Sequence, residues 1–310
     1  MASTWPSYTP TYHHEPYAEI LPTQEHLSCK GLSVLITGAG TGIGQAMAVA
    51  FAQAHAKGIA ILGRTESTLQ ETAEKIKEAS QGQTEALVVT ADITSAESVQ
   101  AAFAKVQGHF GSIDILVNNA GGVTATDSIK DIDLGGFMKT FELNVLGPMT
   151  VTQAFIRAAD ISSNKDPRTI VNVCSGLAHL PAMPKAVAYG TSKLASAKLF
   201  EHVYFEHKDW RVFNLQPGVV ATALAKQSGR QGEDAPELSA SMAVWLARDP
   251  RAADLSGRFV WANWDVNELV AMKDKIHEKD ELMLSLKGWA DEYTVAQLRQ
   301  HAADAMEKRK

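Results

Sequence analysis

The stretch TGAGTGIG, residues 37–44, places four glycines directly after the mostly apolar run LSVLI at 32–36. Glycine lacks a Cβ, so such a turn lets a phosphate group come close to the backbone. A helix that begins within the turn points its N-terminal amide groups at that phosphate. We therefore predict a pyrophosphate-binding turn between the first strand of a sheet and a helix starting near Ile43. A glycine-rich turn without a ligand is the alternative that this motif alone leaves open.

A regular alternation of strand-like and helix-like segments extends outward from this stretch. The short apolar runs are LSVLIT (32–37), GIAIL (58–62), EALVV (85–89), IDILVN (113–118), TIVNV (169–173), RVFNL (211–215) and RFVWA (258–262). Segments with helical spacing lie between most of them, at 43–56, 66–80, 95–109, 137–160, 188–207 and 237–247. Strands that are apolar throughout and alternate with helices indicate a parallel sheet covered on both faces. The sequence predicts an α/β fold of the Rossmann type, a doubly wound parallel sheet of about seven strands with helices on both faces.

The two ends of the chain differ from this pattern. Residues 1–28 are rich in Pro, Tyr, Thr and His and predict an irregular N-terminal arm. Residues 29–264 form the predicted single cofactor-binding and catalytic domain. Residues 265–310 contain two or three amphipathic helical segments without another strand. We expect this C-terminal helical extension to pack on the same domain or at a subunit interface.

Composition excludes several classes of function. A formal net charge of −6 disfavours nucleic acid as a partner. Two cysteines, Cys29 and Cys174, are too few for a disulfide framework, and no C-x-x-C or H-E-x-x-H motif predicts a metal site. No apolar run reaches the roughly 18 residues of a membrane span, and the N-terminal stretch lacks the basic and apolar regions of a signal peptide. We expect a cytoplasmic protein that does not bind membranes.

Motifs distributed along the chain resemble those of the short-chain dehydrogenase/reductase family. The glycine spacing is T-G-x-x-x-G-x-G, NNAG occupies 118–121 after the fourth predicted strand, and YGTSK at 189–193 matches the family's Y-x-x-x-K. Further matches are Asp92 in TADIT, Asn144 in FELNVLGPM, Ser175 in VNVCSG, and the PG pair at 217–218 with Thr222 beyond it. All of these motifs occur in the family's order between about Gly31 and Trp264. The resemblance predicts a nicotinamide-dependent oxidoreductase.

The catalytic set implied by this resemblance is Ser175, Tyr189, Lys193 and Asn144. Tyr189 and Lys193 are four residues apart on a predicted helix and share one face. A nearby ammonium group favours the phenolate and lowers a tyrosine pKa from its usual value of about 10, so Tyr189 can exchange a proton with substrate. By resemblance, Ser175 binds and polarises the substrate oxygen. Asn144 holds a water that links Lys193 to solvent, and Lys193 also binds the nicotinamide ribose.

The resemblance also implies a cofactor-binding set. Its members are Gly38, Thr41, Gly42, Ile43, Gly44, Arg64, Asp92, Asn118, Ala120, Gly121, Tyr189, Lys193, Pro217, Gly218, Val220 and Thr222. NAD-preferring members of the family carry Asp at the end of the second strand, where this chain has Gly63 followed by Arg64. Because Arg64 can pair with a 2′-phosphate, NADP (NADPH) is favoured over NAD. Thr41 stands where many NADP-dependent members carry a basic residue, which keeps NAD open.

The segments that would close the substrate cleft are mostly apolar. Their apolar members are Leu177, Leu180, Met183, Val187, Val219 and Leu224. The predicted substrate is a medium-sized, largely apolar small molecule with a carbonyl or secondary alcohol. His179 either lines this cleft or lies in a surface loop. The long ends resemble family members from filamentous fungi, including those of secondary metabolism.

Two other classes of function remain open. A cyclase, isomerase or dehydratase can use the same fold and cleft, and a non-catalytic nucleotide sensor can keep the cofactor site alone. The intact catalytic set favours redox chemistry over both. By resemblance we expect a homo-oligomer, a dimer or tetramer, formed through the helices at 137–160 and 188–207.

Overall fold

Seven parallel strands form the centre of the molecule. The computed structural model describes residues 7–161, 167–221 and 232–287, together with Gln297 and Gln300. The strands are β1 (Ser33–Thr37), β2 (Gly58–Gly63), β3 (Glu85–Thr90), β4 (Ile115–Asn118), β5 (Thr169–Val173), β6 (Arg211–Gln216) and β7 (Phe259–Trp261). Each coincides with a predicted strand. In the edge strand β3 only Val89 is buried. The apolar runs that predicted the other six strands are buried along nearly their whole length, as expected for strands covered on both faces.

The strand order is β3-β2-β1-β4-β5-β6-β7, and every neighbouring pair is parallel. The chain winds outward from β1 in one direction and then from β4 in the other. The loops that follow β1 and β4 therefore diverge and leave a crevice at the carboxyl edge of the sheet. This arrangement confirms the predicted doubly wound sheet of the Rossmann type.

Helices cover both faces of the sheet. They are α1 (Gly42–Gln53), α2 (Glu66–Ala79), α3 (Ala96–Phe110), α4 (Leu134–Phe141), α5 (Gly147–Ile161), α6 (Val187–Glu206), α7 (Pro236–Arg248), α8 (Val266–Ala271) and α9 (Lys273–Glu278). One core joins α1, α2 and α7 to the sheet around Phe51 and Trp245. The other joins α3, α5 and α6 around Phe155 and Phe200. No helix among the described residues is long and apolar enough to cross a bilayer.

The N-terminal arm is irregular apart from two short 3-10 turns, Ala18–Ile20 and Glu25–Leu27. Ile20 and Leu27 are fully buried in the core shared with α7. Earlier in the arm, Tyr12 pairs with Trp264 in an isolated antiparallel bridge. The described part of the arm is thus tied to the segment that follows β7.

The C-terminal extension begins with α8 and α9, which agree with the predicted helices in its first part. The segment after α9 runs beside β7, where the backbone N–H of Phe259 donates to the Leu282 carbonyl over 2.8 Å. The backbone N–H of Leu284 donates to the buried Glu201 carboxylate of α6 over 2.7 Å. These contacts cover part of an otherwise open sheet edge. The helical prediction beyond residue 287 lies outside the described residues, apart from Gln297 and Gln300.

Candidate active site

The glycine-rich turn connects β1 to α1, as the sequence predicts. Gly38 and Gly42 have φ values of +65° and +56°, a region that side chains rarely allow. A Cβ added to Gly44 would overlap the Gly38 carbonyl oxygen and the Asn119 side-chain amide. The Thr41 hydroxyl does not cap α1, so it leaves the first N–H groups of that helix open to an anion. The turn therefore has the geometry of a phosphate cradle.

The NNAG segment supports this turn through its second asparagine. Asn119 Nδ2 donates to the carbonyl oxygens of Thr37 and Gly38, at 2.9 and 3.1 Å. The Thr37 hydroxyl in turn accepts from the backbone N–H groups of Asn119 and Ala120, both at 3.0 Å. The Asn118 side chain is buried instead and donates to Thr152 of α5 over 3.0 Å. Sequence reasoning selected Asn118 and missed Asn119, because nothing in the motif distinguishes the two side chains.

Arg64 and Asp92 follow β2 and β3 at the same edge of the sheet. Asp92 Oδ1 accepts hydrogen bonds from the Thr94 backbone N–H and hydroxyl, at 2.9 and 2.8 Å. Those two bonds, with a smaller contribution from the positive charge of Arg64, lower the pKa of Asp92 below its usual value. Asp92 is thus a carboxylate at neutral pH. Arg64 is exposed and directly follows Gly63, which is half-buried.

Tyr189 and Lys193 lie near the start of α6 on one face. The Lys193 side chain is buried, and its Nζ donates to the Val173 carbonyl oxygen over 2.9 Å. The same Nζ lies 5.8 Å from the centre of the Tyr189 ring. Burial lowers the pKa of Lys193 from its ordinary value. The pair therefore combines a half-buried phenol with a buried amine.

Asn144 occupies a π-helical turn, Glu142–Leu146, between α4 and α5. Such turns are frequent at functional sites. The Asn144 side chain is fully buried: Oδ1 accepts from the Gly122 N–H, and Nδ2 donates to the Gly122 carbonyl and to the Ser192 hydroxyl, at 2.8–2.9 Å. Asn144 thus clamps the loop after β4 to α6. Its link to Ser192 is a contact that no motif in the sequence indicated.

Ser175 ends the segment after β5 and starts the short 3-10 turn Gly176–Ala178. Its hydroxyl accepts from the Leu177 N–H over 3.3 Å. A Cβ on Gly190 of α6 would lie 3.4 Å from the Leu177 carbonyl oxygen, so this turn packs against the helix that carries Tyr189.

His179 lies just beyond that turn and contacts β7. Its Nε2 accepts a hydrogen bond from Trp261 Nε1 over 3.0 Å, and its ring meets Phe259 edge-on with centroids 4.9 Å apart. Burial lowers the pKa of His179 from its ordinary value. Because Nε2 accepts from Trp261, the neutral ring carries its proton on Nδ1, and His179 is an exposed residue that contacts β7.

One cavity of about 580 Å³ runs along the carboxyl edge of the sheet. The predicted site residues that line it are Gly38, Thr41, Gly42, Ile43, Gly44, Arg64, Asp92, Ala120, Gly121, Tyr189, Lys193 and Pro217. The predicted residues outside its wall are Asn118, Asn144, Ser175, Gly218 and Val220. Thr222 and Leu224 lie outside the described residues. Among the described residues, no group of three His, Cys, Asp or Glu side chains is arranged to hold a metal ion.

Comparison with known proteins agrees with this geometry. Residues 33–233 match the family model of the short chain dehydrogenases, and this chain belongs to that family of nicotinamide-dependent oxidoreductases. It is 38% identical over 293 residues to the short chain dehydrogenase mpl6 of Monascus purpureus, a match that covers 91% of this chain and 96% of the relative.

Solved structures of the family have the same fold. A short-chain type dehydrogenase/reductase from Mycobacterium marinum superposes with a TM-score of 0.68 at 29% identity, covering 76% of this chain and 96% of that one. A 7α-hydroxysteroid dehydrogenase complexed with NADH and 7-oxo glycochenodeoxycholic acid gives a TM-score of 0.67 at 26% identity, covering 76% and 94%. The resemblance stated from the motifs is therefore confirmed.

Proposed function

We propose that this chain is an NADP-dependent reductase or dehydrogenase that interconverts a carbonyl and a secondary alcohol on a medium-sized, largely apolar molecule. The observation that carries the proposal is that one continuous cavity is lined by Arg64 as well as by Tyr189 and Lys193. Arg64 follows β2, and the tyrosine–lysine pair lies beside the ends of β5 and β6, which are three and four strands away. Four strand spacings amount to about 19 Å. That length suits an extended dinucleotide with its reactive ring beside Tyr189.

The residues present fit such a cofactor. The turn at Gly38, Gly42 and Gly44 leaves the space that a Cβ would fill and offers the start of α1 to a pyrophosphate. Asp92, whose carboxylate is ionised and lines the cavity, suits hydrogen bonding to the adenine. Ala120, Gly121 and the segment around Pro217 would border the rest of the cofactor. Bound nicotinamide supplies or accepts the hydride.

The protein's own contribution is position and proton transfer. In the proposed mechanism Tyr189 exchanges a proton with the substrate oxygen, and Ser175 donates a hydrogen bond to that oxygen. The Lys193 ammonium is close enough to the Tyr189 ring to favour the phenolate. Asn144 uses both amide hydrogens on Gly122 and Ser192, so a relay water would bind one of its oxygens.

Replacing Tyr189 by Phe tests the catalytic assignment. The variant keeps the ring and loses the hydroxyl, so we expect nearly complete loss of NADPH-dependent ketone reduction in a screen of apolar ketones. Binding of NADPH should remain, because the cradle at Gly38–Gly44 is untouched. Normal turnover by Tyr189→Phe would refute the mechanism. Turnover without net hydride transfer would favour a cyclase, isomerase or dehydratase.

The proposed preference for NADP rests on Gly63 and Arg64. A cavity without a carboxylate at position 63 accepts a 2′-phosphate, and the exposed Arg64 guanidinium can pair with it. Thermal unfolding with NADPH and with NADH measures the preference, since a ligand of the folded state raises the midpoint according to its affinity. We expect the larger shift with NADPH. Gly63→Asp should reverse the order, because its Cβ would meet only the flexible end of Leu69, at 3.2 Å. A larger shift with NADH for the wild type contradicts the assignment.

We also propose that the substrate is a fungal secondary metabolite. Support comes from the long terminal extensions and from relatives of 33–38% identity in Monascus and Claviceps. The apolar residues Leu177, Leu180 and Met183 after Ser175 suit such a compound. Comparing polyketide-like ketones with short polar ketones in the NADPH oxidation assay tests this, and a preference for the polar set would contradict it.

A homo-oligomer is proposed through α4, α5 and α6. Large apolar side chains on or just before these helices are exposed: Ile129, Leu134, Met138, Leu146, Met149, Leu194 and Phe205. Large apolar side chains left exposed on these helices favour an association surface there. Sedimentation of the wild type should show a dimer or tetramer, and Leu134→Asp, with its side chain 73% exposed, should shift the population toward monomer. A wild type that sediments only as monomer contradicts the proposal.

We propose that the chain has one catalytic domain with an extension at each end, and that the protein is cytoplasmic. The arm (1–28) and the C-terminal extension (265–310) flank one catalytic domain (29–264). The arm contacts the extension directly through Thr11, whose N–H and hydroxyl donate to Glu268 at 2.9 and 2.7 Å. Both cysteines are free, which suits the reducing cytoplasm. Limited proteolysis and a fluorescent fusion test the two proposals.

A further inference from the structure

A buried carboxylate, Asp234, joins three distant parts of the chain. Its Oδ2 accepts from the Val219 backbone N–H over 2.6 Å. Its Oδ1 accepts from Asn263 Nδ2 at 3.0 Å and contacts His14 Nδ1 at 2.6 Å. The Asp234 side chain is 1% exposed, whereas the His14 ring is 40% exposed. An acidic side chain with so little access to water depends on each of these donors.

The carboxylate lies directly against the segment that follows β6. Gly218 has a φ of +91°, and a Cβ there would lie 2.6 Å from Asp234 Oδ2. The Val219 carbonyl also accepts from the backbone N–H of Asp234 over 3.1 Å. Val219 is flanked by Pro217 and Ala221, and both of these line the cavity. Asp234 therefore holds one wall of the cavity, on the β6 side.

The N-terminal arm supplies the exposed member of this cluster. The Ala235 N–H donates to the His14 carbonyl over 2.9 Å. The backbone N–H of His13 donates to the Asn263 carbonyl over 2.8 Å, and Asn263 Nδ2 donates to the His13 carbonyl over 2.9 Å. These bonds use the backbone of the arm, so they persist when the His14 side chain is removed. The effect of the His14 imidazole can thus be separated from docking of the arm.

We propose that His14 and Asp234 are positioning residues that fix segment 217–221 against the nicotinamide half of the cofactor. The inference rests on the proposed NADP-dependent function. Arg64 and Asp92 follow β2 and β3, whereas this segment follows β6, so the two halves of the cavity have separate supports. Without the His14 donor, the buried carboxylate turns toward other partners and the Val219 N–H loses its fixed acceptor.

Dissociation constants measured by fluorescence titration test the proposal with two probes. NADPH would reach both halves of the cavity, whereas 2′,5′-ADP lacks the nicotinamide half. Removing one partner of a buried charge costs about tenfold in an equilibrium constant, or more. His14→Ala should therefore weaken NADPH by about that factor and leave 2′,5′-ADP unchanged. His14→Asn should restore binding, because its amide can donate from nearly the position of Nδ1.

The chain offers a matched control and a second variant. His13, the neighbouring arm residue, makes a similar contact with the Asp265 carboxylate at 3.0 Å and does not reach Val219 through it. His13→Ala should bind both probes as the wild type does. In Asp234→Asn the new side-chain amide is itself a donor and faces the three donors that bind the carboxylate. This variant should therefore repeat the selective loss of NADPH binding.

Three results overturn the inference: unchanged NADPH binding by His14→Ala, equal weakening of both probes, or the same loss in His13→Ala. If the wild type binds neither probe, the proposed function fails and the inference fails with it. Wild-type binding combined with any of the three results refutes the positioning role alone.

Discussion

Replacing Gly44 by alanine should disrupt the turn at 37–44, whereas the same change at Gly108 should not. Both glycines lie within helices, α1 and α3. A Cβ on Gly108 would have open space around it. A Cβ on Gly44 would overlap the Gly38 carbonyl oxygen and lie against Asn119 Nδ2, which itself binds the Gly38 carbonyl. The backbone of the turn has to move to relieve that overlap.

The difference between the two variants follows from these contacts. Alanine in an exposed helix position stabilises the folded state by up to about 1 kcal/mol relative to glycine. Forcing a methyl group into a filled site costs about 1–3 kcal/mol. Both positions are helical, so the gain from alanine is common to the two variants and the clash alone separates them. The free energy of unfolding of Gly44→Ala should therefore lie about 1–3 kcal/mol below that of Gly108→Ala. Because the clash lies in the cradle, only Gly44→Ala should also weaken NADPH.

Urea unfolding of both variants and the wild type measures the stability difference, and titration measures NADPH binding. An unchanged slope with denaturant in both variants confirms that the folded state is the one affected. Equal stability of Gly44→Ala and Gly108→Ala would refute the steric argument. A destabilised Gly44→Ala with wild-type NADPH affinity would refute the assignment of the turn to the cofactor.

Three titratable side chains, one histidine and two cysteines, give the remaining predictions. Because burial lowers the folded-state pKa of His179, the unfolded chain binds its proton first, and the free energy of unfolding should fall as pH drops through about 6.5 toward that lowered value. A single proton limits the slope to about 1.4 kcal/mol per pH unit, and the exposure of His179 to solvent keeps it below that limit. His179→Gln, which still accepts from Trp261, should flatten the slope. Burial raises the pKa of Cys29 to about 12 and raises that of Cys174 as well, so iodoacetamide at neutral pH should label neither thiol before unfolding and both after it, as mass spectrometry can count.

Each of these two predictions has a result that would contradict it. A pH profile of His179→Gln that matches the wild type would mean that another group titrates in this range. Rapid labelling of Cys174 in the folded protein would mean that the site beside Lys193 opens to solvent, contrary to its burial.

Local sequence patterns determined the sheet, the turn and the order of the motifs. Strands covered on both faces need apolar residues at nearly every position, so their number and position follow from composition along the chain. Gly38 and Gly42 are required by their positive φ, and Gly44 by the Gly38 carbonyl oxygen six residues earlier, so these constraints are local too, whereas the contacts of Gly38 and Gly44 with Asn119 are tertiary. Tyr189 and Lys193 share a face because four residues make about one helical turn.

Only the tertiary structure decided which polar groups meet. Asn119 rather than Asn118 supports the glycine turn, because the ends of β1 and β4 lie side by side in the sheet. His14 reaches Asp234 across 220 residues of sequence. A buried polar group bonds with whichever partner the packed elements bring within about 3 Å, and that partner cannot be predicted from local periodicity. Burial along a strand can be predicted from residues that are neighbours in the sequence. The pairing of buried polar groups depends on how separate loops converge at one edge of the sheet.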